Sequence, residues 1–360
     1  MQAAVLNSIP GELEIEDITI DTPAPREVLV RVAAAGVCHS DLHFVEGKYP
    51  YPTPCVLGHE SAGVVEAVGD QVTYVQPGDH VITCLSVFCG ECGYCLTGRP
   101  SLCQNPSTQR PAGAPPRLSR DGAPVHQFIS MSSFAEQMLV HEHALVKVSK
   151  DIPLDRAALI GCGVTTGLGA VFNTARVPAT STVAVVGCGG VGLNCVQGAA
   201  LAGANRIIAV DMNETKLKMA EQFGATDLVN ASDGDAVAQV RELTDGAGVE
   251  YSFEAIGLKQ TTEQAFGMLA RGGTATVIGM IPIGTTIELH GYEFLAEKKI
   301  QGSTMGSNHF RVDMPRYVEL YLQGRLKLDE LVSARVPLSE VNGAFDTMRA
   351  GEVARTVITF

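Results

Sequence analysis

The chain has 360 residues, 46% of them apolar and 18% charged, with 26 Lys plus Arg against 39 Asp plus Glu and a net charge of −13. That length suits two domains, and that composition suits buried interiors, which excludes a disordered chain. The acidic balance excludes nucleic acid and anionic membrane surfaces as general partners, while leaving room for a local site for a phosphorylated cofactor.

The N-terminus has no basic stretch ahead of an apolar one, and Glu12 is its first charge, so no signal peptide is expected and a cytoplasmic location is. The ten cysteines then read as thiols or metal-binding thiolates and not as disulfides. Short alternating runs at 27–32, 63–68 and 80–83, broken by Gly and Pro, predict a β-rich first domain. Residues 104–127 hold five prolines and three arginines and predict a surface excursion, after which strand texture resumes over 132–148. The charge-free stretch 177–205 is dense in glycine at its centre and reads as strand, turn and helix, not as a membrane span. From about 180 the pattern alternates. Strands are predicted at 182–187, 206–211, 227–230, 249–254, 274–279 and 299–304, and helices at 190–202, 214–223, 236–244 and 261–269. Such alternation implies an α/β domain with a parallel sheet covered on both faces. A helix near 314–323 and a strand at 356–360 follow.

Gly187-Cys-Gly-Gly-Val-Gly192 matches G-x-G-x-x-G between a predicted strand and a predicted helix. Gly187 makes the tight turn, Gly189 lets the backbone approach a pyrophosphate, and Gly192 lets helix and strand pack closely. Gly190 and Val191 open the helix, whose free N–H groups suit an anion. Asp211 ends the next strand, 19 residues after Gly192. It suits the adenosine ribose hydroxyls and repels a 2′-phosphate, and Met212 and Asn213 offer that phosphate no cation, so the cofactor is expected to be NAD and not NADP.

Cys89, Cys92, Cys95 and Cys103 have the spacing C-x2-C-x2-C-x7-C. Four thiolates on one short loop suit a closed zinc site, with an iron–sulfur centre as the competing reading. A dispersed set, Cys38, His59 and Cys162, would leave a fourth coordination position open, which is a catalytic pattern. Spacing alone does not single out this set, and each member by itself reads as a packed cysteine or a satisfied histidine.

Gly58-His59-Glu60, the four-cysteine loop, the glycine motif and the terminal Arg355-Thr-Val-Ile-Thr-Phe360 together resemble a zinc-dependent medium-chain alcohol dehydrogenase, in that family's order and over essentially the whole chain. The resemblance implies a GroES-like catalytic domain at 1–163, completed by 305–360, and a Rossmann domain at 164–304. It implies two zinc ions per chain: a catalytic one on Cys38, His59 and Cys162, with Glu60 as an alternate ligand, and a structural one on the four-cysteine loop. Asp41 would orient His59. Ser40 would bond the substrate oxygen, and His43 would relay its proton. Lys216 would assist at the adenosine ribose, and Arg355 would meet the pyrophosphate. His39 stands where some relatives carry an arginine, and a neutral imidazole is a weaker anion partner. The implied reaction is reversible hydride transfer between a primary alcohol, or a secondary one, and NAD.

Tyr49 and Leu85 fall near pocket positions and hint at an apolar alcohol. The alternative is a thiol-dependent formaldehyde dehydrogenase acting on an S-hydroxymethyl thiol. Its glutathione form is disfavoured, because Lys48 and Pro50 stand where acids are sought, Ser107 stands where an arginine is sought, and Arg110 is displaced. A non-catalytic NAD(H)-binding redox sensor is a remote alternative that would have lost a ligand or relay residue. The length of the 104–127 excursion tilts the expected assembly to a homodimer, with a homotetramer as the alternative.

Overall fold

The computed structural model of the chain describes residues 1–351 and 354–360. It divides into two units, Met1–Gly163 with His309–Phe360, and Val164–Asn308.

The first unit is organised by one long strand, Glu27–Gly36, rich in Val and Ala, with Val28, Val30 and Val32 fully buried. Each such side chain contributes about 1.5–3 kcal/mol of burial. This strand pairs antiparallel with Glu60–Val68, Gln137–His141 and the C-terminal strand Arg355–Thr359. Val332–Val336 adds parallel to Arg355–Thr359, so the end of the chain completes a sheet begun near its start. A second sheet runs Leu13–Asp17, Gln2–Leu6, Cys55–Val56, Ala123–Gln127, Leu118–Arg120 and Thr19–Ile20. Phe128, Phe134 and Phe345 are buried in one core cluster with valines from the long strand. Phe345 comes from the helix Val341–Ala350, which the sequence reading did not anticipate.

Residues 104–127 are largely exposed, as expected of a surface excursion, but they are not loop throughout. Their second half is a hairpin, Leu118–Arg120 with Ala123–Gln127, in which Leu118 and Val125 are buried. The arginines suggested solvent, but two of them converge on Glu27. Arg117, 7% exposed, donates from Nε to Glu27 Oε1 at 2.6 Å. Arg110 donates Nη2 to Glu27 Oε2 at 2.6 Å and Nη1 to Asp21 Oδ2 at 2.5 Å. Burial pushes the Glu27 carboxyl up, but Arg110 and Arg117 outweigh it and hold the carboxyl down at about 2.

In the second unit, β1 (Thr182–Val186), β2 (Arg206–Asp211), β3 (Asp227–Asn230), β4 (Val249–Glu254), β5 (Leu269–Val277) and β6 (Lys299–Gly302) form a sheet in the order β3-β2-β1-β4-β5-β6. All neighbours are parallel. The helices α1 (Gly190–Ala202), α2 (Glu214–Gln222), α3 (Ala236–Leu243) and α4 (Lys259–Gly267) alternate with the strands. Asn213 and Asp235 cap α2 and α3 by accepting first-turn N–H groups. β5 starts at Leu269, earlier than expected: Gly272 and Gly273 look like a turn in sequence but lie inside an irregular strand with a register shift. The strand order reverses between β1 and β4, and ligands of such sheets bind outside the carboxyl ends at that point.

The folded value of Glu27 lies below its unfolded one, so its contribution is full above about pH 4.5 and is lost as pH falls toward about 2. Urea unfolding at pH 6 and pH 3 should show a stability drop smaller in Glu27→Gln than in the parent by about 2 kcal/mol. An equal drop in both would remove Glu27 from this role.

Candidate functional site

The register of the first unit's main sheet brings the dispersed residues together. Gly36 pairs with Glu60 and with Val357, so Cys38, His59 and Arg355 gather at one end of three adjacent strands. Gly36 has to be glycine, because a Cβ there would run into the Glu60 side chain. Cys38 is the N-cap of a short helix, His39–Val45, which carries Ser40, Asp41 and His43 on its first two turns.

Asp41 is fully buried and sews two segments into one site. Its Oδ2 accepts the Cys38 N–H at 3.3 Å. Its Oδ1 accepts the Gly58 N–H at 3.2 Å and the His59 Nδ1–H at 3.0 Å. The last bond fixes the tautomer, leaving Nε2 as an acceptor. Nε2 is buried and has no hydrogen-bond partner.

The third ligand candidate, Cys162, sits in the π-helical turn Ile160–Val164 after the helix Leu154–Leu159. π-turns re-aim side chains and recur at functional sites. Glycine flanks it on both sides for steric reasons: a Cβ on Gly161 would meet Thr83 O, and one on Gly163 would meet the Arg355 guanidinium. Cys38 Sγ, His59 Nε2 and Cys162 Sγ all lie within 4.8 Å of one another. The charge balance fits a cation. Sharing a proton with Cys162 pushes the Cys38 thiol well down. Burial opposes a charged His59 ring, but Asp41 and Cys38 raise it well above its ordinary value. Buried negative groups around Nε2 are ones that a bound cation would offset. Two sulfurs and an orphaned imidazole nitrogen are a zinc donor set, so the residues fit the metal.

Around this trio, Glu60 Oε2 accepts the Gly163 N–H at 3.0 Å, and Oε1 lies 3.5 Å from Arg355 Nε. Burial pushes Glu60 up to about 7 against the pull of Arg355. Arg355 is buried here with its Nη2 lacking a hydrogen-bond partner. Ser40 Oγ is 3.7 Å from Cys38 Sγ. His43 is half-buried, and its Nδ1 lacks a hydrogen-bond partner. Burial, assisted by Lys48, pushes its pKa down. His39 is exposed. Aromatic groups line the neighbourhood: Phe128 meets the His59 ring at 5.9 Å, and Tyr49 meets the His43 ring at 6.0 Å.

The four-cysteine loop is a second candidate metal centre of different character. Its sulfurs stand 3.5 Å (Cys92–Cys95), 3.8 Å (Cys92–Cys103) and 3.9 Å (Cys89–Cys95) apart. Zn–S bonds of about 2.3 Å give a tetrahedron with edges of about 3.8 Å. A single ion fits within sulfurs this close, and a multi-iron cluster does not. Backbone N–H groups of Glu91 and Cys92 point at Cys89 Sγ and lower it to about 7.

In the second unit the glycine motif forms a cradle. Gly187 has φ +94, a Cβ on Gly192 would strike Gly187 O, and Gly189 faces open space at the N-cap of α1. Gly190 and Val191 begin the helix and present its free N–H groups. Asp211 Oδ2 accepts the Cys188 N–H at 2.7 Å, and Oδ1 accepts the Asn213 N–H at 2.9 Å. This orients the carboxylate at the end of β2, with Lys216 in the first turns of α2. The cradle and the acidic residue fit a dinucleotide. Sequence reasoning missed one group at this edge: Glu254, fully buried at the end of β4. Its sequence signal, a lone acid closing an apolar strand, is shared by many surface residues.

Two family descriptions match the chain: an alcohol dehydrogenase GroES-like domain over residues 24–150 and a zinc-binding dehydrogenase over residues 190–323. A class-3 alcohol dehydrogenase of Oryza sativa subsp. japonica is 39% identical over 99% of this chain and 96% of its own length. An S-(hydroxymethyl)glutathione dehydrogenase of Saccharomyces cerevisiae is 38% identical over 99% of this chain and 95% of its own. The crystal structure of benzyl alcohol dehydrogenase from Acinetobacter calcoaceticus superposes with a TM-score of 0.94 at 37% identity, covering 100% of this chain and 99% of that one.

The two centres should separate on mutation. Cys38→Ser should lose one zinc by elemental analysis, abolish turnover and stay folded, whereas Cys92→Ser should lose the other and lower stability by about 2–5 kcal/mol. The reverse pattern would exchange the two assignments.

Proposed function

We propose that this chain, which belongs to the zinc-dependent medium-chain alcohol dehydrogenase family, is an NAD-linked enzyme that interconverts an uncharged, apolar primary alcohol and its aldehyde at Cys38, His59 and Cys162. The observation that carries this reading is His59 Nε2, buried without a hydrogen-bond partner, beside two buried sulfurs. When bound, zinc on these residues supplies Lewis-acid activation of an alcohol or carbonyl oxygen, and NAD supplies the hydride acceptor.

The chain's own residues do the rest. Asp41 holds the His59 ring in one tautomer and one orientation. Ser40, beside Cys38, hydrogen-bonds the substrate hydroxyl. His43 is kept neutral by burial, and its unpartnered Nδ1 can take up the proton that the alcohol gives. Phe128, Tyr49 and Leu85 supply an apolar, largely aromatic surrounding. The Acinetobacter benzyl alcohol dehydrogenase supports benzylic alcohols as first candidates. In the second unit, the α1 N-terminus takes the pyrophosphate and Asp211 the adenosine ribose. Two zincs per chain, a homodimer and a cytoplasmic location belong to the same proposal. The dimer rests on the length of the 104–127 segment.

A second reading, oxidation of an S-hydroxymethyl thiol, is favoured by the class-3 and glutathione-linked names of the curated relatives. Against its glutathione form stands Arg110, which is committed to Glu27 and Asp21 and gives no free cation to a substrate carboxylate. Lys48 is paired with Glu46 at 2.8 Å.

An alcohol and aldehyde panel with NAD(H), and formaldehyde with and without low-molecular-weight thiols, decides between the readings. Turnover of benzyl alcohol without thiol is expected. Formaldehyde oxidation strictly dependent on a thiol, with no benzyl alcohol turnover, would establish the second reading, and two bound zincs with no turnover at all would point to a sensor. Asp211→Gly should narrow the NAD-over-NADP preference in kcat/KM by about tenfold or more. An unchanged ratio would remove Asp211 from the ribose.

A further inference from the structure

Glu254 closes β4 directly beside the point where the strand order reverses, in register with Val186, the residue before Gly187. It is fully buried. One oxygen, Oε1, accepts three donors: Ile256 N–H at 2.9 Å, Gly257 N–H at 2.7 Å and Thr261 Oγ1–H at 2.8 Å. Its backbone carbonyl accepts Ile278 N–H at 2.9 Å and Gly279 N–H at 3.1 Å, so one residue ties the loop after β4 to the loop after β5. The other carboxylate oxygen, Oε2, is buried and has no hydrogen-bond partner. It faces Gly279, where a Cβ would come within 2.7 Å of it.

No cation among the described residues forms an ion pair with Glu254. Three donors on one oxygen and none on the other leave its negative charge unevenly shielded, in a setting of low dielectric where fields reach further. A loop-tying role alone would need only the backbone carbonyl and Oε1.

The dinucleotide reading gives this charge an object. With the pyrophosphate at α1 and the adenosine ribose at Asp211 on the β2 side, the other half of the cofactor lies on the β4 side of β1. The nicotinamide ring carries a positive charge in NAD⁺ and none in NADH. We infer that Glu254 acts through its buried negative charge on the nicotinamide half of the cofactor, stabilising bound NAD⁺ relative to bound NADH. Glu254 is thus a positioning residue for two loops and an electrostatic setting for the cofactor's redox state. This inference rests on the dinucleotide reading above.

The test is binding, not turnover. The zinc-loaded enzyme and Glu254→Gln are titrated with NAD⁺ by calorimetry and with NADH by fluorescence, with zinc content and melting temperature as controls. The amide keeps an oxygen for the three donors and removes the charge. Kd for NAD⁺ should rise about tenfold while Kd for NADH changes by less than about twofold. Equal weakening of both forms, or no change in either, would overturn the inference and leave the dinucleotide reading standing. A parent enzyme that binds neither form would overturn both. Should Glu254→Gln fail to fold, Thr261→Val strips one donor and keeps the charge. The ratio of Kd for NAD⁺ to Kd for NADH should then fall about twofold, and an unchanged or raised ratio would overturn the inference.

Discussion

A single buried carboxylate holds the catalytic region together. Asp41 takes the Cys38 N–H, the Gly58 N–H and the His59 ring N–H, and so binds a helix start to a strand start that are distant in sequence. An unpaired buried carboxylate would cost several kcal/mol, and three charge-assisted bonds offset that cost. The benefit is geometric. The imidazole cannot rotate, its tautomer is set, and Nε2 is aimed at the two sulfurs.

Charge explains why a cation would suit that place in the first unit. Two cysteines, Glu60 and Asp41 crowd a volume from which water is largely excluded, and Arg355 is the guanidinium set against them. Arg355 faces Glu60 in an ion pair without a close hydrogen bond, at 3.5 Å. The four-cysteine loop works differently. It is partly exposed, backbone N–H groups point at its sulfurs, and a bound metal would replace the apolar core that so short a loop lacks.

The second unit offers a dinucleotide a cradle of backbone and an acid at the next strand end. Gly187, Gly189 and Gly192 let the chain come close to an anion, and the helix end supplies the attraction. Asp211 and Glu254 stand at the ends of strands on opposite sides of β1.

Much of this was legible in the residues alone. The alternation from 180 onward named the parallel sheet, because buried strands and amphipathic helices have different periods. The four-cysteine loop was legible because its ligands are close in sequence. Cys38, His59 and Cys162 were legible only through family resemblance, since nothing local marks them. Their assembly depends on the pairing of Gly36 with Glu60 and on a π-turn at Cys162, and both are tertiary facts. In residues 104–127 the exposed surface was legible but the burial of Arg117 was not, because arginine signals solvent in a sequence, while burial here depends on a partner, Glu27, ninety residues away. The role of Glu254 was invisible for the same reason. Local pattern and spacing determined the fold class, the cofactor motif and the four-cysteine ligand loop by themselves. Which polar groups lie buried, and what faces them, was decided only when distant segments packed, because burial and charge pairing are properties of neighbours in space.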